Sequence, residues 1–217
     1  MSHAAVQRLV LLVVVVVSPL AACSSPSYLL QAAVGQLEVL RARRPLERVL
    51  ADPSTTPALR ADLLAADSAL VFGHVVLGLP RADGYRQYAD LGRRHVVWNV
   101  VATKEFSLEP HTWCFPVAGC VAYRGWFSEA RARDDAARLV ARGNDVYVGG
   151  VPAYSTLGWF SDPLLNTMFG AGETAVGSLI FHEMAHRQLY LPGDTAFSEA
   201  FAVAVEEFGT RKWLRQR

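Results

Sequence analysis

Phe181-His182-Glu183-Met184-Ala185-His186 is the stretch on which the reading of this chain turns. Its two histidines stand four residues apart, so on a helix they share one face, with β-carbons roughly 6 Å apart. Both imidazoles can then reach one zinc ion at about 2.0–2.1 Å. Glu183 projects about 100° around the axis from His182, the position of a base in a metal-assisted hydrolysis. The flanks read as a helix independently of the motif. No proline interrupts Thr174 to Tyr190, Ala171-Gly172 is a turn signal before it, and Leu191-Pro192-Gly193 stops it. Val176, Ile180 and Met184 recur at helical spacing away from the histidines and predict a core-facing side. Leu179 and Leu189 flank the histidine face, so the helix is apolar nearly all round, as buried helices are. Two histidines and a glutamate in such a helix are costly without a partner. A metal supplies one; the alternative is a structural histidine pair.

After the turn, a second predicted helix carries Phe197-Ser198-Glu199-Ala200-Phe201 and supplies a third oxygen ligand. Glu199 and Glu206 compete for that role. If the helices run antiparallel about Pro192-Gly193, His186 and Glu199 lie level, whereas Glu206 stands roughly 10 Å farther along at 1.5 Å per residue. A carboxylate ligand must approach to about 2.0–2.2 Å, so Glu199 is the expected ligand and Glu206 is expected behind the site or in solvent. Three good ligands without an obvious fourth leave a position for water, which favours a catalytic over a closed structural site.

At the start of the chain, Arg8 precedes the apolar run Leu9 to Val17, which Ser18-Pro19 ends. The run is shorter than the roughly 20 residues that span a bilayer and reads as a targeting segment. Leu20-Ala21-Ala22-Cys23 resembles the lipobox of bacterial lipoproteins, which implies a signal peptide over residues 1–22 and a lipid anchor to the membrane at Cys23. A small-residue cleavage site without lipidation is the alternative, and both imply export. Ser24 after the cysteine, by resemblance to lipoprotein sorting in Gram-negative cells, implies the outer membrane and a periplasm-facing body. Residues 23–217, roughly 195 of them, suit a single domain with a sizeable core. With 21 Lys+Arg against 20 Asp+Glu and no basic stripe, a nucleic-acid partner is not expected.

If Cys23 carries lipid, Cys114 and Cys120 remain, in Trp113-Cys-Phe-Pro-Val-Ala-Gly-Cys, where Pro116 and Gly119 shape a tight loop. An oxidising compartment favours a disulfide between them. Two thiolates on a second metal is the weaker alternative, because no His or Cys sits at ligand spacing around them.

Elsewhere the chain predicts an amphipathic helix over Ser27 to Arg43, a short continuation over Leu46 to Ala51, and a helix started by Thr55-Thr56-Pro57 and stopped by Gly78-Leu79-Pro80. Strands are predicted over Val96 to Thr103, Gly119 to Phe127 and Asp145 to Val148, with a helix over Ser128 to Arg142. Gly149 to Phe160 mixes glycines, hydroxyls and aromatics, as a loop or irregular edge strand does where another backbone approaches. A peptide substrate can be held there by strand addition, although its aromatics fit a core equally well. His111, Tyr123, Arg124 and Tyr154 are candidate substrate or transition-state contacts that spacing alone does not separate. His74 and His95 read as packing histidines.

Taken together, the lipobox at Cys23, Gln36-Leu37-Glu38-Val39-Leu40-Arg41, the Trp113 to Gly125 segment, Ala153-Tyr-Ser-Thr-Leu-Gly-Trp-Phe, the histidine motif, and Gly193-Asp-Thr-Ala-Phe-Ser-Glu-Ala-Phe-Ala resemble the bacterial family of predicted zinc-dependent aminopeptidase lipoproteins. The resemblance runs from about Leu20 to the C-terminus. It implies a gluzincin-type metallopeptidase with zinc on His182, His186 and Glu199, and Glu183 as the catalytic carboxylate. Ser198-Glu199-Ala200-Phe201-Ala202 resembles the N-E-x-F-A element that carries the ligand in gluzincin aminopeptidases. No residue marks a holder for a free α-amine, so aminopeptidase and endopeptidase both stay open. Members of the family continue beyond the point matching Arg217, which implies a C-terminally shortened domain. The fold expected is α+β, helix-rich and zincin-like, with the motif helix followed by a second ligand-bearing helix and a small β-sheet. The function expected is zinc-dependent hydrolysis of peptides by an exported, lipid-anchored enzyme. The alternative is a non-catalytic zinc-stabilised binding lipoprotein or an inactive truncated homologue.

Overall fold

The computed structural model describes residues 25–115, 119–154, 156 and 162–216. The signal-peptide and Cys23 lipidation readings, and Ser155 with residues 157–160 of the glycine- and aromatic-rich segment, lie outside them. The fold is α+β with a helical majority, as expected from the sequence.

Helix α1 (Pro26–Ala42) starts at Ser25, whose hydroxyl accepts the Tyr28 N–H, with Pro26 at its first position. The predicted continuation is interrupted by a short strand, β1 (Arg43–Pro45), before α2 (Leu46–Ala51). Pro45 cannot donate a helical hydrogen bond and disfavours helical backbone at Arg44, whereas an edge strand tolerates it. Helix α3 (Pro57–Val75) is capped by the Thr56 hydroxyl, which accepts the Leu59 N–H, as Thr56-Pro57 predicts.

Two three-stranded sheets follow. In the first, β2 (Gln87–Ala89) pairs antiparallel with β1 and parallel with β8 (Leu164–Leu165). In the second, the central β3 (Val97–Lys104) lies antiparallel between β6 (Arg124–Trp126) and β7 (Asn144–Val151). Helix α4 (Glu129–Val140) starts at its Ser128 cap. Its Ala132, Ala136 and Leu139 pack with Val100, Ala102 and Trp126 on one side of that sheet.

The strand expected over Gly119 to Phe127 is two strands in two sheets. Its first part, β5 (Gly119–Val121), pairs with β4 (Trp113–Phe115) in a separate hairpin. There Cys114 stands directly opposite Cys120, and the two form a disulfide. The bridge binds β5 to β4, while Gly125 and Trp126 pair with Asn99 and Trp98 of β3.

Helices α5 (Glu173–Gln188) and α6 (Thr195–Leu214) carry the histidine motif and Glu199. Val176, Ile180 and Met184 are 1, 2 and 0% exposed, so the predicted core stripe of α5 is buried. It can sit so deep because neighbours approach through glycines. A β-carbon at Gly73 of α3 would lie 2.8 Å from Met184 Sδ, and one at Gly177 of α5 would lie 2.4 Å from the Trp213 ring of α6. Trp213 also donates its indole N–H to Ser68 Oγ of α3 at 3.3 Å, tying the three helices together. Among the described residues, no helix is long and apolar enough to cross a membrane.

Candidate metal centre

Contacts between α5 and α6 fall in reverse order along the two helices. Gly177 lies beside Trp213, Ser178 beside Glu206, and His186 beside Glu199, which defines an antiparallel pair. The turn between them is held by Ser198, whose hydroxyl accepts the Leu191 N–H and donates to the Asp194 carbonyl. Asp194 Oδ1 in turn accepts the Phe197 N–H and starts α6.

This pairing brings three side chains to one point. His182 Nε2 lies 3.2 Å from His186 Nε2. Oε2 of Glu199 is 3.3 Å from the first of these nitrogens, and its Oε1 is 3.6 Å from the second. Ligands around a tetrahedral ion at about 2.0–2.1 Å stand about 3.3 Å apart, so the triangle has the size a metal requires. Its chemistry, two imidazole nitrogens and one carboxylate, suits zinc among other divalent ions. Among the described residues, these three form the group that could hold a metal ion.

Glu206 does not join them. Its Oε2 lies 2.9 Å from the other ring nitrogen of His182, Nδ1, and its Oε1 accepts the Ser178 hydroxyl at 2.5 Å. With Nε2 turned to a metal, Nδ1–H donates to Glu206, which sets tautomer and ring orientation together. Glu206 therefore lies behind the site, one of the two places the helix geometry allowed it, with a partner that spacing did not reveal. His186 Nδ1 is buried and has no partner among the described residues.

Without metal, the group's electrostatics are those of a proton-binding cluster. The Glu199 hydrogen bond holds the pKa of His182 up, to about 9, against the opposing effect of burial. That same bond holds the Glu199 carboxyl below its ordinary value. Burial lowers His186. Glu183 is buried, and its Oε2 has no partner among the described residues. Desolvation raises it to about 7, with the nearby Asp162 carboxylate adding to the effect. Asp162 is itself fixed by the Thr156 N–H and hydroxyl, at 2.9 and 2.8 Å.

The cluster opens into a cavity of about 700 Å³. Tyr123 lines it, with a hydroxyl pushed up to about 12, first by burial and then by Tyr190, Glu199 and Glu183. Tyr154 also lines it, but its hydroxyl donates to Gln36 Oε1 and its ring packs edge-on to Phe127. The structure does not bring Arg124 or His111 to the cavity. The guanidinium of Arg124 lies 4.2 Å from the centre of the Tyr28 ring and 3.5 Å from Asp135, and the His111 ring packs edge-on to Trp113. His74 Nδ1 bonds the Leu79 carbonyl and His95 packs on Trp98. Sequence reasoning missed Tyr190, whose ring packs against His186. It also missed Asp162, Asn99 and Ser178, and gave Glu206 a place behind the site without naming its partners. Of these, only Ser178 carried a local signal, since it lies one helical turn before His182.

Two histidines and a glutamate on antiparallel helices, beside a buried carboxylate at the head of a deep cleft, define a candidate metal-dependent hydrolase centre. The chain belongs to the family described as "Putative aminopeptidase", whose model matches residues 27–217. That description names peptide hydrolysis. No curated protein and no solved structure matches the chain.

Proposed function

We propose that this chain is a zinc-dependent peptidase of gluzincin type, holding the ion on His182, His186 and Glu199. The observation that carries the reading is the 3.2, 3.3 and 3.6 Å triangle of ligand atoms with Glu183 buried next to it. Zinc, when bound, makes water acidic near neutral pH and polarises the scissile carbonyl.

The remaining work falls to the chain's own side chains. Glu206 and Ser178 hold His182 in place. Glu183, whose desolvated carboxyl has its pKa near neutrality, takes the proton of the attacking water and delivers it to the leaving amine. Tyr123, whose hydroxyl is pushed up to about 12 chiefly by burial, is a donor for the oxyanion that develops on the carbonyl. The lipobox-like Leu20-Ala21-Ala22-Cys23 supports a place in the bacterial envelope, lipid-anchored at Cys23 and facing the periplasm. Cys23→Ser is expected to move the protein out of the membrane fraction; unchanged fractionation and mass would refute that anchor.

The decisive experiment is metal analysis of the purified protein together with a peptide-library assay using free and blocked N-termini. The expected result is about one zinc per chain and chelator-sensitive cleavage. Cleavage restricted to free N-termini assigns an aminopeptidase, and cleavage of blocked peptides an endopeptidase. Full activity in the presence of chelator would refute the proposal.

A further inference from the structure

The cleft beyond the metal-site groups has uncharged walls, largely apolar and aromatic, and we propose that it is a specificity pocket that selects a bulky uncharged side chain, aliphatic or aromatic, beside the scissile bond. This rests on the peptidase reading above and goes beyond it by naming the substrate class.

One wall is the β4–β5 hairpin. Its register sets Cys114 opposite Cys120, so Phe115 and Val121 project from the other side of the hairpin. Both cysteines are exposed, whereas Phe115 and Val121 line the cavity. The disulfide thus holds an apolar inner wall from the solvent side. Gly125 of β6 shapes the floor. A β-carbon there would lie 2.9 Å from Val97 Cγ1 and 3.4 Å from Asn99 Oδ1. Glycine weakens a strand interior, and here the missing side chain leaves room in the cavity that Val97, Asn99 and Gly125 line.

Backbone recognition at β6 is closed off. Gln31 Nε2 donates to the Gly125 carbonyl at 3.4 Å, and its Oε1 accepts the Phe127 N–H at 3.1 Å. The side-chain amide takes the ladder positions that a substrate strand would occupy on this edge, so discrimination here falls on the substrate's side chain. Beyond the metal-site groups, the described side chains lining the cavity carry no formal charge. Arg124, in the strand that forms the floor, is committed to Tyr28 and Asp135. A charged substrate side chain would be desolvated there without a counter-charge.

The test uses the zinc-loaded full chain and matched peptides that differ only in the residue flanking the scissile bond: Leu, Phe, Gly, Lys or Glu. Leu and Phe peptides are expected to exceed Lys and Glu peptides by at least about 30-fold in kcat/KM, since one methylene in an apolar pocket already gives about 10–200-fold. Gly125→Ala is expected to lower the Phe-to-Gly ratio of kcat/KM about tenfold by narrowing the floor. Phe115→Glu is expected to shift preference toward Lys, with disulfide formation and zinc content checking that it folds. Binding of the same peptides to zinc-loaded Glu183→Gln, read by fluorescence anisotropy, reports the pocket without hydrolysis. Equal binding and turnover of Leu, Lys and Glu peptides would overturn the pocket while leaving the peptidase intact. Selective binding of Leu and Phe peptides that wild type never cleaves would overturn the peptidase and uphold the pocket. Absence of both binding and cleavage would overturn both.

Discussion

Nδ1 of His182 lies 2.9 Å from Oε2 of Glu206, so a carboxylate outside the proposed ligand set orients a member of it. Losing such a partner typically costs about 10–100-fold in metal affinity. Glu206→Ala is therefore expected to weaken zinc binding by that factor in a chelator competition, and Glu206→Gln to restore part of it. Glu199→Ala, which removes a ligand, should weaken binding further. A Glu206→Ala variant with wild-type affinity would show that the contact does not orient the ring.

Glu183→Gln removes the proton acceptor and leaves the three ligand side chains untouched. Zinc content should stay close to wild type while hydrolysis falls by at least about 100-fold, the lower range for a lost general base. Retained turnover would eliminate Glu183 as the base.

His182 gives the metal-free protein a defined pH dependence. Its folded pKa is raised from 6.5 to about 9, chiefly by the hydrogen bond to Glu199. The associated stability is fully present below pH 6.5 and is lost as pH rises through about 9. Thermal melts in chelator should show a falling Tm across this window. Zinc must displace the same proton, so apparent zinc affinity should rise with pH there, by up to about tenfold per unit, and level off above it. A pH-independent affinity would mean that His182 is already neutral.

Reducing the bond between Cys114 and Cys120 frees a short loop. The chain-entropy relation puts the expected loss of stability at about 2.4 kcal/mol. Neither cysteine contributes to the His182, His186 and Glu199 group. Denaturant melts should therefore shift while zinc content does not. Free thiols at both positions in protein purified under oxidising conditions would contradict the bridge.

The motif helix, its buried stripe and the meeting of His182, His186 and Glu199 at one point were legible in the sequence because they depend on local rules. Helical periodicity turns a spacing of four into a shared face, and a short turn after His186 limits which carboxylate can lie level with it. The Thr56 cap ahead of Pro57 follows from the same short-range hydrogen bonding. What the tertiary structure alone decided is non-local. Strand propensity over Gly119 to Phe127 does not say which partners it meets, so its division between the disulfide hairpin and the β3 sheet was not visible in advance. Strands β1, β2 and β8 are too short to carry an alternation. The packing of α5 against α6 chose which nitrogen of His182 Glu206 would meet. A hydrogen bond joins Gln31 of the first helix to Gly125, 94 residues later in the strand that lines the pocket. Spacing constrains residues within a turn or two of each other; such distant groups come together only when packing sets the register.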